Sequence, residues 1–270
     1  MCDAMSEIDL QAYLTRLGLS AVASDADGLA RLQTAQMRMI VFENIDPLLG
    51  RTPSLKASAL RDKLIRRKRG GYCFEQNALL GQALLALGFS IVPVLGRVRM
   101  GRPTRGPRTH AAWLVTCSGT RWLVDAGFGG PGSLVPLRLD TDRDQVAPNG
   151  IYRLTWDAVG GEHVVERQTP DGWLQLYGFD EVHVAQIDLR AANHLCATWH
   201  EQPFSTHLFV AGWSGDTRIG IFDRAITREG SETTKSRIPD RDHLAEVLCD
   251  QLAMPLTPEE ITEIWAKIAG

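Results

Sequence analysis

Apolar residues recur at helical spacing through the first third of the chain and at strand spacing through the middle. Leu10, Tyr13, Leu14 and Leu17 fall at i, i+3, i+4 and i+7 behind a candidate cap at Ser6, which predicts an amphipathic helix stopped at Gly18. Further helices are expected over roughly Leu29 to Ile40 and Ser54 to Arg67. Gly70-Gly71 then interrupts the pattern, and a more apolar helix follows from about Cys73 to Leu87, ended by Gly88. From Ser90 onward the runs shorten to Ile91–Val98, Ala111–Cys117, Arg121–Ala126, Tyr152–Trp156, His163–Arg167 and Trp173–Tyr177, separated by Gly and Asp-Gly turns. Strands that follow one another without intervening helices predict an antiparallel sheet or small barrel.

After Glu181 the pattern is mixed. A helix is expected through Leu189–Leu195, a hairpin over Leu208–Phe222, and helices near Arg241–Leu252 and Pro258–Ile268. The last has a clear start, with Thr257 at the cap, Pro258 at the first helical position and Glu260 completing a capping box. The division is therefore an α+β chain in three parts: 1–88, 89–182 and 183–270.

Composition narrows the function. A net charge of -3 and a pI near 6.2 provide no field for holding a nucleic-acid backbone, so small-molecule chemistry is the better expectation. The short basic run Arg66-Arg67-Lys68-Arg69 reads as a solvated helix end, or else as an accessory contact to a phosphorylated ligand. Five widely spaced cysteines form no C-x-x-C pair, which fits reduced thiols and neither zinc nor a dithiol centre. With no signal-like start and no membrane-length apolar run, the expected location is the cytoplasm. The histidines at 183, 194, 200 and 207 offer no convincing metal-ligand spacing, and His163 and His243 read as surface residues.

Cys73 is the candidate nucleophile. It opens a helix directly behind Arg69-Gly70-Gly71-Tyr72, where unpaired N–H groups and the helix dipole favour negative charge and lower a thiol pKa. The two glycines are expected to turn the chain sharply and let backbone approach a substrate. A cysteine in an apolar helix is also commonly a small buried hydrophobe, so partners must decide.

His110 heads the run Thr109–Val115, and Asp125 ends Trp122–Asp125 after the turn Ser118-Gly119. If that turn has two residues, Cys117 faces Thr120, Asp125 comes opposite Ala112, and His110 becomes its diagonal neighbour on the same face. Taken singly, Asp125 reads as a turn residue and His110 as a strand-end histidine. Together they supply the base and the orienting carboxylate that a thiolate needs.

These residues carry a resemblance. Arg69-Gly70-Gly71-Tyr72-Cys73-Phe74-Glu75-Gln76-Asn77 resembles the nucleophile motif of the arylamine N-acetyltransferases of bacterial type. Thr109-His110-Ala111, Val124-Asp125-Ala126-Gly127-Phe128-Gly129-Gly130 and Val41-Phe42-Glu43-Asn44-Ile45 match further blocks in order. The resemblance implies an N-terminal helical bundle, a central antiparallel β-barrel and a C-terminal α/β lid reached through an interdomain helix, around a cysteine-proteinase-like core. It implies a Cys73-His110-Asp125 triad and a ping-pong reaction that uses acetyl-CoA, with no metal. An arylamine, arylhydrazine or arylhydroxylamine accepts the acetyl group.

It further implies CoA contacts at Thr109, Gly127, Phe128 and Gly129, and acceptor contacts at Phe42 and Phe128. A homo-oligomer is compatible with it, while nucleic-acid and membrane partners are not expected. Polyketide amide synthases share the same triad, cysteine hydrolases share its order, and a binding module with a structural Cys73 is the non-catalytic alternative.

Overall fold

In the computed structural model, residues 8–102 and 106–269 are described. Ser6, the expected cap of the first helix, lies outside them. Asp9 performs that function, its side chain accepting from the Ala12 N–H at 3.0 Å. The N-terminal part comprises α1 (Leu10–Arg16), α2 (Ala26–Met39), β1 (Phe42–Glu43), α3 (Ile45–Leu48), α4 (Ala57–Leu60) and α5 (Cys73–Ala86). The expected helix over Ser54 to Arg67 is shorter: α4 runs into a π-helical turn over Arg61–Arg66. Tyr13, Leu29, Leu32, Leu64, Leu80 and Leu84 form the buried centre of this bundle.

Arg69 corrects the reading of the basic run as solvated. Arg66 and Arg67 pair with Asp62 at the surface, but Arg69 is buried between Glu43 at 3.1 Å and Glu260 at 2.8 Å. The Gly70-Gly71 break also has a packing cause. The Gly71 N–H donates to Val41 O and the Glu43 N–H to Gly71 O, both at 3.1 Å, so residues 70–71 lie against β1. A Cβ at Gly70 would stand 2.3 Å from Val41 O. Close approach there is to the protein's own backbone.

The middle is an antiparallel eight-stranded sheet, ordered β5-β4-β3-β2-β9-β8-β7-β6. Its strands are β2 (Ser90–Val98), β3 (His110–Cys117), β4 (Thr120–Val124), β5 (Leu137–Arg138), β6 (Gln145–Ala147), β7 (Gly150–Asp157), β8 (Glu162–Thr169) and β9 (Gly172–Phe179). The edge strands nearly meet: the Gln145 side chain accepts from Arg138 N and donates to Arg138 O, which brings β6 beside β5. Inside, Val94, Leu114, Leu123, Leu154, Val165 and Leu176 form a separate apolar core. The barrel therefore forms as expected. The short strands β5 and β6 escaped sequence reading because two or three residues carry no alternation.

The C-terminal part contains α6 (Gln186–Thr198), β10 (Phe209–Ser214), β11 (Thr217–Phe222), β12 (Ala225–Glu229), β13 (Thr233–Arg237), α7 (Arg241–Ala245) and α8 (Pro258–Ile268). The hairpin expected over Leu208–Phe222 is β10–β11, and it extends into a five-stranded sheet ordered β1-β10-β11-β12-β13. Strand β1 pairs Phe42 with Ala211 and Glu43 with Val210, so an N-terminal segment forms one edge of the C-terminal sheet. Ile45 and Leu48 accordingly pack with Ile219, Leu244, Leu248 and Ile264. Helix α8 starts as the capping box requires, with Thr257 and Glu260 bonding reciprocally.

Candidate active site

Two local devices and one long-range pairing build the site. Helix α5 starts at Cys73, its entry held by the Tyr72 N–H donating to Glu75 Oε2 at 3.2 Å. The Ser118-Gly119 turn has φ of 50° and 76°, the left-handed pair that a two-residue hairpin prefers, and Cys117 faces Thr120. The ladder then runs to Trp113 opposite Val124, and Asp125 leaves the strand one residue later. His110 and Asp125 meet as the register demands, with His110 Nε2 donating to Asp125 Oδ2 at 2.6 Å.

The carboxylate is held on both oxygens. Oδ2 also accepts from the Tyr177 hydroxyl at 2.8 Å, while Oδ1 accepts from Asn77 Nδ2 and the Gly127 N–H, each at 2.9 Å. Burial alone would raise the Asp125 pKa, but His110 and these donors hold it below the usual carboxylate range. Burial would lower His110, yet Asp125 outweighs it and pushes the imidazole up to about 10. Cys73 adds to the upward push on the imidazole.

Cys73 itself departs from the helix-start expectation. It is 3% exposed, and burial pushes its thiol pKa up, against the downward pull of the His110 hydrogen bond and charge. Desolvation of the anion outweighs the dipole here. The sulfur donates to the Thr109 carbonyl at 3.6 Å, and Cys196 on α6 reaches the same oxygen at 3.7 Å.

A cavity of about 460 Å³ opens on this cluster, lined by Cys73, His110, Phe42, Phe128 and, across it, the C-terminal sheet from Val210 to Lys235. Thr109, Gly127 and Gly129 line it too, so the structure brings all the sequence-predicted residues together, with Asp125 behind His110. The Phe128 ring stands edge-on to His110 at 5.2 Å, and Phe42 packs against Phe204 at 6.1 Å. The Gly127 N–H is already engaged by Asp125. A Cβ on Gly127 would meet Asn77 Nδ2 at 2.5 Å and Cys73 O at 2.8 Å, so this glycine is required by packing before any ligand is considered.

Three contributors were not singled out from the sequence. Asn77 follows Cys73 by one helical turn, a same-face spacing that was there to be read. Tyr177 reaches the site because β9 pairs with β2, Val98 facing Tyr177, and no local signal reports that pairing. Arg218 of β11 binds Gly129 O at 2.9 Å and Glu229 at 3.3 Å, fastening the C-terminal sheet to the glycine loop. Among the described residues no group of side chains is arranged to hold a metal ion, and no helix is long and apolar enough to cross a membrane.

Comparison with known proteins finds relatives along nearly the whole chain. Residues 25–261 match the family model described as N-acetyltransferase. The chain is 34% identical over 250 residues to an arylamine N-acetyltransferase / N-hydroxyarylamine O-acetyltransferase of Salmonella typhimurium, covering 91% of this chain and 88% of the relative. It is 35% identical over 271 residues to an arylamine N-acetyltransferase of Mycolicibacterium smegmatis, covering 97% and 98%. The fold superposes on the Mycobacterium marinum arylamine N-acetyltransferase solved in complex with CoA with a TM-score of 0.89. That match has 33% identity and covers 96% of this chain and 98% of the other.

Proposed function

The chain belongs to the arylamine N-acetyltransferase family, and from that premise we propose that it carries acetyl from acetyl-CoA to an aromatic amine, hydrazine or hydroxylamine through an acetyl-Cys73 intermediate. The observation that carries this reading is the convergence of Cys73, His110 and Asp125 at the wall of one cavity.

In the first half-reaction the Cys73 thiolate, paired with a protonated His110, attacks the thioester carbonyl carbon. A tetrahedral oxyanion forms, and the backbone N–H groups that the first turn of a helix leaves without intrahelical partners are its candidate donors at the start of α5. The carbon–sulfur bond to CoA then breaks, and His110 returns its proton to the leaving thiolate. In the second half-reaction the acceptor nitrogen, or the oxygen of a hydroxylamine, attacks the acetyl-cysteine. His110 takes its proton and Cys73 is released. Splitting one acyl transfer into two displacements at an activated thiol is the gain from covalent catalysis.

Asp125 stays ionised throughout, fixes the His110 tautomer and stabilises the imidazolium. Thr109, Gly127, Phe128 and Gly129 line the path assigned to the CoA arm, and the Phe42 and Phe128 rings flank the acceptor.

Intact-mass measurement after mixing with acetyl-CoA alone tests the reading. One acetyl group should be added at Cys73 and be absent from Cys73→Ala, and an arylamine should discharge it faster than water does. No adduct would sink the assignment. Discharge by water at the same rate would make the protein a hydrolase, and acylation only from a carrier-bound chain would make it an amide synthase.

A further inference from the structure

A second cavity, about 630 Å³, lies between α5, α6, strands β2 and β3, and the segment from Thr52 to Ser58. It shares no lining residue with the cavity that opens on Cys73. Its size falls in the range of small-molecule sites. The body is apolar, with Phe74, Ala78, Pro93, Trp113 and Leu189 among its walls. The charged side chains that line it are of one kind, Lys56 and Arg190, and no carboxylate lines it among the described residues. Lys56 and Arg190 are exposed at the rim, and neither has an ion-pair partner among the described residues.

The walls are braced. Asn193 of α6 donates to Pro53 O at 3.0 Å and accepts from the Tyr72 hydroxyl, so the helix and the 52–58 segment are tied together at one end of the cavity. Trp113 Nε1 donates to Asn77 O at 2.6 Å, and Asn77 Nδ2 donates to Ala111 O at 2.6 Å, which closes the floor. A neutral apolar ligand would leave two unpaired cations at the mouth. A cationic ligand would be repelled, and an anion with an apolar body satisfies both features.

We propose that this cavity is a second binding site, for a small organic monocarboxylate whose apolar body lies between α5 and α6 while its carboxylate meets Lys56 and Arg190. The site is separate from the one that handles the acetyl group, and its occupancy does not depend on the state of Cys73.

Isothermal titration with 2-naphthoate, with neutral 2-naphthamide as comparison, tests this. One naphthoate per chain should bind at least tenfold more tightly than the amide, and equally well to protein whose Cys73 has been carbamidomethylated. Lys56→Glu combined with Arg190→Glu should weaken naphthoate at least tenfold and leave the amide unchanged. Ala78→Trp, which fills the cavity, should remove binding of both.

Cys73 acetylation by acetyl-CoA reports whether each variant is folded, and Lys56→Gln with Arg190→Gln, which should weaken naphthoate alone, substitutes if the charge reversal is not. Absence of naphthoate binding, binding insensitive to the two cations, or binding lost on modifying Cys73 would overturn the proposal.

Discussion

Asp125 accepts four hydrogen bonds, from His110, Tyr177, Asn77 and Gly127, and this saturation is what makes a buried carboxylate a dependable anion. Its charge in turn carries His110 up to about 10, so the imidazole holds a proton across the neutral range. Cys73 and His110 titrate as a pair, and the attacking form has lost the sulfur's proton while the ring keeps its own. Replacing His110 removes the influences that lower the Cys73 pKa and leaves burial, which raises it. We therefore expect His110→Gln to slow Cys73 acetylation by roughly 10²–10⁴-fold at pH 7. In the same variant, the rise of iodoacetamide alkylation with pH should move to higher pH. An unchanged alkylation profile would count against the pairing.

At the scale of elements, the glycine loop after β4 is shaped by α5. Gly127 lies so close to the first turn of that helix that a methyl group would press on Asn77 and on the Cys73 carbonyl. Gly127→Ala is expected to cost about 1–3 kcal/mol, the usual range for overpacking a tight core, and to displace Cys73 from His110. Urea unfolding measures the first effect and the rate of acetyl-Cys73 formation the second. The β3–β4 hairpin was legible in the sequence because its turn is local: two residues at positive φ set the register, and the register set the His110–Asp125 contact. Strand β1 was not, since two residues become a strand only through β10, whose partner residues lie far along the chain.

Over the whole molecule, a buried ion cluster ties the N-terminal helices to the C-terminal sheet and α8. Lys63 meets Asp46 at 2.6 Å, Glu75 at 2.8 Å and Glu43 at 3.8 Å, and Arg69 joins Glu43 to Glu260. Carboxylates outnumber cations, and the excess falls on Glu75: burial, reinforced by Glu43 and Asp46, pushes it up to about 7 despite Lys63. A carboxyl raised in the folded state binds more protons there than in the unfolded chain. Its contribution is thus complete below the ordinary value of 4.5 and is lost as pH rises through about 7. Scanning calorimetry should show the wild-type Tm falling relative to that of Glu75→Gln between those pH values. A constant difference would mean that Glu75 is ionised throughout.

Elements with a strong internal period or a local turn were determined by the sequence alone. These were the helices α2, α5 and α8, the long barrel strands, and the hairpin that sets His110 beside Asp125, because their information lies within a few residues. The nine-residue stretch around Cys73 and the two blocks after it likewise pointed to the family from composition and order. The tertiary structure decided what depends on distant partners: β1 as an edge of the C-terminal sheet, Tyr177 and Asn77 on Asp125, and the burial of Arg69. It also decided the direction of the Cys73 pKa. A helix start favours the thiolate, but desolvation is set by everything packed around the sulfur, and no local stretch of sequence states how much that is.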